Sequence, residues 1–184
     1  IEYRYPAYTG LPTEVVEKNG AIRAVEGTEV VLHATANEPL ADAAVEFDGD
    51  SSRRIRGRVD GETLTLRWRL RMDSEVPTRP AFRSYVIRAH AQDGRANRRP
   101  VRYQIEVLPD LAPEITWVDP PINHTPVPLH GSLPLHLVAE DLDFGLRRVV
   151  VRVQQEGKTL TEENLLDTGA EKAFSGAFEG RYEF

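Results

Sequence analysis

The sequence contains no cysteine, so it can form neither a disulfide framework nor a thiolate metal site. Its apolar runs fall short of the roughly 18 residues that a membrane-spanning helix needs, and we expect no membrane insertion by this segment. Amphipathic patterns of helical length are scarce as well, since only residues 161–167 have a helical composition. These absences favour a protein built mainly from β-strands.

Recognisable catalytic signatures are also missing. The sequence has no P-loop, no GxSxG elbow and no HExxH motif, and its five histidines do not fall at metal-ligand spacing. The net charge of −6 and the isoelectric point near 5.4 argue against a dedicated nucleic-acid binder, which normally carries a broad basic field. We therefore predict a protein that is not an enzyme, needs no cofactor and binds no nucleic acid.

Short alternating runs, separated by turn residues every 8 to 12 positions, predict β-strands over most of the chain. The spacing is typical of a β-sandwich, because no long amphipathic helices lie between the runs. The predicted strands cover residues 29–35, 43–48, 53–59, 62–71, 83–91, 101–108 and 114–118.

Prolines at positions 109 and 113 flank a short segment that cannot continue a sheet ladder. An internal similarity relates the two sides of this segment, because residues 31–36 (VLHATA) resemble residues 134–139 (PLHLVA). We therefore predict two tandem immunoglobulin-like β-sandwich domains, residues 1–108 and 114–184, joined by a linker over residues 109–113. The second domain is short for this fold and is either minimal or incomplete.

Residues 53–71 (RRIRGRVDGETLTLRWRLR) carry seven arginines in nineteen positions. Asp60-Gly61 predicts a two-residue hairpin turn, which would set Val59 opposite Glu62. In that register the following pairs lie on one face: Arg58 and Thr63, Arg56 and Thr65, and Arg54 and Arg67. The opposite face is apolar and carries Ile55, Leu64, Leu66, Trp68 and Leu70.

Two interpretations of these arginines remain open. The favoured one is a solvated sheet face, partly neutralised by Glu46 and Asp48 from an adjacent strand, because exposed ion pairs contribute little. The alternative is a binding surface for a glycan or another polyanion. Its candidate ligand-binding residues are Arg54, Arg56, Arg58, Arg67, Arg69 and Arg71.

An acidic cluster, Glu140, Asp141 and Asp143, follows a predicted strand and precedes Gly145. Its carboxylates are of the kind that calcium prefers, but this loop alone supplies too few ligands. A turn held by its own side-chain hydrogen bonds, with Gly145 at positive φ, explains the same residues without metal, and we favour it. Asn123-His124-Thr125 matches a glycosylation sequon, which is informative only in a eukaryotic secretory protein.

Three segments together carry a resemblance to a known group of proteins: residues 5–12 (YPAYTGLP), 21–45 (AIRAVEGTEVVLHATANEPLADAAV) and 139–153 (AEDLDFGLRRVVVRV). They resemble the immunoglobulin-like region of large, uncharacterised membrane-anchored proteins of planctomycetes and related bacteria, a domain of unknown function. The acidic turn departs from that family's Asp-Asp-Phe/Tyr-Gly-Leu pattern, because Leu142 separates Asp141 from Asp143. The resemblance implies a non-catalytic module at the periplasmic or extracellular face of the cell envelope, and it assigns no functional residues.

The chain begins at Ile1 without an initiator methionine and stops at Phe184 in a strand-like pattern, so we expect a piece of something longer. The favoured function is a structural or interaction module of a larger cell-envelope protein, with protein partners or other domains of the same chain. The alternative is a glycan-binding or polyanion-binding module that uses the arginine face.

Overall fold

The computed structural model describes residues 1–120, 125–127, 130–169 and 173–183. These ranges contain β-strands and one short 3-10 helix, Ala7–Thr9, but no α-helix, and the prediction of an all-β sandwich fold is confirmed. The chain divides into two compact units, Ile1–Asp110 and Leu111–Phe184. That each unit is a separate domain, joined by a linker at 109–113, stays a prediction. Within the described ranges, no helix has the length and apolarity needed to cross a membrane.

The first unit consists of two five-stranded sheets that pack face to face. The first sheet has the order β2-β1-β4-β8-β7, and the second has the order β3-β10-β9-β5-β6. The strands are β1 (Glu2–Arg4), β2 (Glu14–Val15), β3 (Ile22–Val25), β4 (Glu29–Thr35), β5 (Leu40–Phe47), β6 (Asp50–Arg56), β7 (Arg58–Asp60), β8 (Thr63–Arg69), β9 (Ser84–Ala91) and β10 (Arg102–Leu108).

The core of the first unit is built by the inward-facing residues of both sheets. Along β8, Leu64, Leu66 and Trp68 are buried while the arginines between and after them are exposed, as the period of a strand requires. Trp68 meets Phe47 and Tyr85 of the second sheet edge to face, with ring centroids 5.7 Å apart in each pair. The predicted burial of Leu64, Leu66, Trp68 and Leu70 is therefore confirmed, whereas Ile55 is half-buried on β6 of the second sheet.

The chain changes sheets at Gly57. The sequence predicted one strand over residues 53–59, but β6 pairs with β5 in the second sheet and β7 pairs with β8 in the first. A Cβ atom at Gly57 would lie 2.2 Å from Leu64 Cδ1, so any larger residue would force the buried Leu64 side chain to move where the backbone passes over the core. Arg54 and Arg56 consequently lie opposite Glu46 and Ala44, and their predicted pairing with Arg67 and Thr65 is wrong.

The register of the β7–β8 hairpin also differs from the prediction. Asp60 pairs with Thr63, and Arg58 pairs with Thr65, so the turn residues are Gly61 and Glu62. Gly61 has φ +59° and is the first central residue of the turn, as in a type II′ hairpin. Because the shift is two residues and the side-chain period is two, every side chain keeps its predicted face.

The second unit contains a three-stranded sheet, β11-β12-β15, and a two-stranded sheet, β13-β14. Its buried core joins Leu137 and Ala139 of the larger sheet to Val149 and Val151 of the smaller one. The strands are β11 (Glu114–Asp119), β12 (Pro134–Glu140), β13 (Arg148–Gln155), β14 (Lys158–Asp167) and β15 (Phe178–Glu183).

The helical composition of residues 161–167 does not produce a helix, since all of them belong to β14. Tertiary pairing overrides local propensity here. The hairpin turn Glu156-Gly157 has positive φ at both residues and directs the chain back along β13. Across the ladder, Glu162 accepts from Arg148 at 3.2 Å and from Arg152 at 2.8 Å, so one acidic residue of this segment pairs with two arginines of the neighbouring strand.

Candidate functional site

The six candidate arginines are all exposed, but they belong to two sheets. Arg54 and Arg56 lie on β6, the edge strand of the second sheet, and Arg58 lies on β7, the edge strand of the first. Arg67 and Arg69 lie on β8, and Arg71 follows that strand. The arginines therefore form a band around one edge of the sandwich, where a single flat hairpin face was predicted.

A groove of about 620 Å³ lies at this edge, where β6 and β7 diverge. If the β7–β8 ladder continued past Arg58, residue 56 would lie opposite Arg67. The chain instead leaves the ladder at Gly57, and the groove opens there between Arg56 and Arg67. Ile55, Arg56, Arg58, Asp60, Thr63, Thr65, Leu66 and Arg67 line it.

Most of the candidate arginines have no carboxylate partner. Arg54 Nη2 lies 3.9 Å from Asp42 Oδ1, whereas the other five form no ion pair with any residue that the structure describes. Three arginines line the groove, Arg56, Arg58 and Arg67, and none of them forms an ion pair with a described residue; Asp60 is the one acidic residue in the lining. The lining of the groove therefore carries more positive than negative charge.

The predicted neutralisation by Glu46 and Asp48 is largely absent, because both carboxylates have other partners. Glu46 lies opposite Arg54, but its Oε1 is 3.5 Å from the Nη2 of Arg88. Asp48 Oδ1 accepts backbone N–H groups from Arg83 and Ser84, each at 2.9 Å. A carboxylate that fixes a turn in this way is not positioned to pair with the arginines of β6.

Some of the arginines also cover apolar residues on the outward faces. Val31 is only 2% exposed although it pairs with Glu2 and Arg67 on the solvent side of the first sheet. Ala44 is fully buried between Arg56 and Arg88 on the solvent side of the second. Arginine stems lie readily along apolar surface while the charged heads stay in water. Covering these apolar residues explains why the aliphatic parts of the arginine side chains lie on the sheet. The guanidinium groups stay in water and remain able to bind a ligand.

Arg54, Arg69 and Arg71 do not line the groove. Arg69 lies opposite Glu29, whose Oε2 instead accepts from Arg4 Nη1 at 3.3 Å. The candidate site therefore narrows from six arginines to three. The sequence signal for the bend that creates the groove is Gly57, because a glycine inside an otherwise continuous strand pattern often marks a bend or a close backbone approach. Gly57 does not indicate which arginines line the groove.

The acidic turn is held by backbone hydrogen bonds. Asp141 Oδ1 accepts the N–H groups of Asp143 and Phe144 at 3.0 Å and that of Gly145 at 3.3 Å. Asp143 Oδ2 accepts the N–H of Leu111 at 3.0 Å. Gly145 has φ +76°, as predicted. These contacts support a turn-forming role for the cluster.

Glu140 lies apart from these contacts, at the exposed end of β12 opposite Glu114. In the part of the chain that the structure describes, no three His, Cys, Asp or Glu side chains come together as metal ligands would. Asn123 and His124 of the sequon fall outside the described residues.

We predict that calcium does not stabilise this turn. The melting temperature of the protein should be the same in millimolar calcium and in chelator, because the oxygens of Asp141 and Asp143 already accept backbone N–H groups. Asp141→Ala should destabilise the second unit by about 1–3 kcal/mol under both conditions, since it leaves three amides without an acceptor. A rise of several degrees with calcium, lost in Asp143→Asn, would contradict the turn-forming role.

Comparison with known proteins assigns no family or function to the chain. No protein-family model matches the chain, and no curated protein matches it.

Proposed function

We propose that the chain is a non-catalytic interaction module of a larger cell-envelope protein, and that its first unit holds an anionic glycan in the arginine groove. The observation that carries the proposal is the unbalanced charge of this groove. Arg56, Arg58 and Arg67 line it without an ion pair among the described residues, and Asp60 is its one acidic lining residue.

The chemistry of the guanidinium group fits such a ligand. It binds sulfate, phosphate and carboxylate groups through parallel N–H donors, and it is more weakly hydrated than an ammonium group. The three arginines come from β6, β7 and β8, so they are distributed along and across the sandwich edge. An extended polymer with repeated charges would contact them in succession, whereas a single small ion would not.

An acidic glycan fits this groove better than a nucleic acid does. No aromatic side chain lines the groove, whereas sequence-tolerant binding of single strands normally relies on bases stacked on aromatic rings. The net charge of −6 also provides no long-range attraction for a polyanion. Binding would therefore depend on close contacts at the groove and would weaken as salt increases.

The envelope setting and the immunoglobulin-like assignment are part of this proposal and derive from the family resemblance of residues 5–12, 21–45 and 139–153. Two β-sandwich units in series suit a module that spaces or presents other parts of a large protein. Other domains of the same polypeptide, or protein partners, would then share the surface outside the groove. A spacer role without glycan binding is the alternative that the following experiment separates.

Heparin serves as the probe polyanion, with affinity measured at low salt and at about 0.15 M salt. We expect micromolar binding that persists at the higher salt. The triple variant R56Q/R58Q/R67Q should lose at least about tenfold in affinity, which corresponds to about 1.4 kcal/mol over the three contacts. The variant should keep its fold, because the substituted side chains are exposed.

The matched control is R71Q/R98Q/R99Q, which removes the same number of charges from exposed arginines outside the groove. We expect it to retain nearly wild-type affinity. Equal losses in the two triple variants would mean that heparin responds to overall charge only. Wild-type binding that disappears at about 0.15 M salt would leave the spacer role alone.

A further inference from the structure

A long slot of about 690 Å³ lies between the two sheets of the second unit. Residues 149–154 of β13 form one wall, and inward-facing residues of β11 and β12 form the other. Val149 and Val151 face the core, whereas Val150 and Arg152 face away from it. Because residues of both orientations line the slot, this wall is the backbone edge of β13 and not one of its faces. The slot therefore follows the edge of β13 that does not pair with β14.

The opposite wall of the slot is an inward face that the described residues leave exposed. Ile115 is 58% exposed and Trp117 is 46% exposed, although their cross-strand partners Ala139 and Leu137 are 0% and 3% exposed. In the first unit, the inward-facing aromatic residue of β1, Tyr3, is only 4% exposed. Large apolar residues that point inward and remain exposed indicate a missing neighbour.

The first unit shows which neighbour is missing, because the two units share a strand arrangement. In each unit a central strand, β4 or β12, pairs antiparallel with two others, and the two central strands have similar sequences. The facing sheet contains a hairpin in each unit, β5–β6 or β13–β14. Both hairpins close on a two-residue turn with positive φ at both positions, Asp48-Gly49 or Glu156-Gly157.

In the first unit, the other edge of β5 is paired antiparallel with β9, which follows β8 in the chain. Tyr85 of β9 is completely buried and packs edge to face on Trp68. In the second unit β15 takes the place of β8, and β13 pairs with β14 alone among the described strands. The slot lies where a counterpart of β9 would run.

We propose that the slot receives a strand of the same polypeptide that follows β15, runs antiparallel to β13 and is the counterpart of β9. Its inward positions carry apolar residues that cover Ile115 and Trp117, and its backbone satisfies the free edge of β13. The same polypeptide is the source because the crossover from β8 to β9 in the first unit is a direct connection within the chain. This inference is independent of the glycan proposal.

The test compares the 184-residue chain with the same chain extended by the next 40 or so residues of its parent polypeptide, a length set by the β8-to-β10 span of the first unit. In a Trp68→Phe background Trp117 is the sole tryptophan. We expect its emission to move to shorter wavelength in the extended chain. Exchange of the β13 amides that do not bond to β14 should slow by at least about tenfold.

A proline at the centre of the added strand should restore the emission and exchange of the 184-residue chain, because proline cannot donate to the ladder. Three results would overturn the proposal. The first is a parent polypeptide without an alternating apolar strand after Phe184, and the second is unchanged emission and exchange in the extended chain. The third is burial of Trp117 in the shorter chain as its concentration rises, since a second copy would then fill the slot.

Discussion

Replacing Trp68 with alanine is expected to destabilise the first unit by about 3–5 kcal/mol. Trp68 is 7% exposed, pairs with the fully buried Val30 across the ladder, and contacts Phe47 and Tyr85 of the facing sheet. The substitution removes the ring that joins the two sheets and leaves a cavity that strands on both sides cannot close. Urea denaturation followed by circular dichroism measures the loss.

The matched control is Trp68→Phe. The indole Nε1 of Trp68 is buried without a hydrogen-bond partner among the described residues, so phenylalanine removes an unsatisfied donor while keeping an aromatic ring. We expect this variant to lose about 1.5 kcal/mol or less. An alanine variant as stable as the phenylalanine variant would mean that Trp68 does not hold the sheets together.

The second large effect is expected for Gly145→Ala in the acidic turn. Gly145 has φ +76°, and a Cβ atom there would lie 2.5 Å from the carbonyl oxygen of Phe174. That oxygen accepts the N–H of Leu146 at 2.8 Å, so relieving the clash breaks a backbone hydrogen bond as well. Strain and the lost bond together should cost about 2–4 kcal/mol in the free energy of unfolding of the second unit.

Gly157→Ala separates the backbone strain from the effect of the contact with Phe174. Gly157 has a similar φ of +79°, but no atom lies within 4 Å of an added Cβ. Only the backbone strain remains, and we expect a loss of about 1 kcal/mol. Equal losses at the two glycines in thermal or urea unfolding would show that the contact with Phe174 contributes nothing.

Strand period made the faces of the arginine hairpin predictable. The apolar residues of β8 are buried and the arginines are exposed, although the predicted register is wrong by two residues. A shift of two preserves every face, because side chains alternate with a period of two. The turn position depends on which residue takes positive φ, and the pair Asp60-Gly61 allowed two placements.

Other features depend on tertiary contacts that no local pattern encodes. Gly57 is a local signal for a bend within residues 53–59, but the crossover from one sheet to the other depends on the pairing of β6 with β5 and of β7 with β8. Strands β1, β2 and β3 span two to four residues each, too few to show a period. Residues 161–167 form a strand because β13 pairs with them.

The extent to which carboxylates neutralise the candidate arginines could likewise not be predicted from the sequence. Whether Glu46 and Asp48 neutralise the arginines depends on where each carboxylate finds a partner. One is nearest to Arg88 and the other caps the start of β9. The six exposed arginines were predictable from alternation, but the three that line one groove were not.

The most direct measurement for the arginine groove is a titration of the arginine Nε–Hε NMR signals with a sulfated oligosaccharide at about 0.15 M salt. The side chains of Arg56, Arg58 and Arg67 should shift together along one binding curve, because the ligand contacts all three in the groove. The signals of Arg71, Arg98 and Arg99, exposed elsewhere on the first unit, should stay in place. Uniform small shifts over all exposed arginines, or no shift at this salt concentration, would contradict a glycan site at this edge of the sandwich.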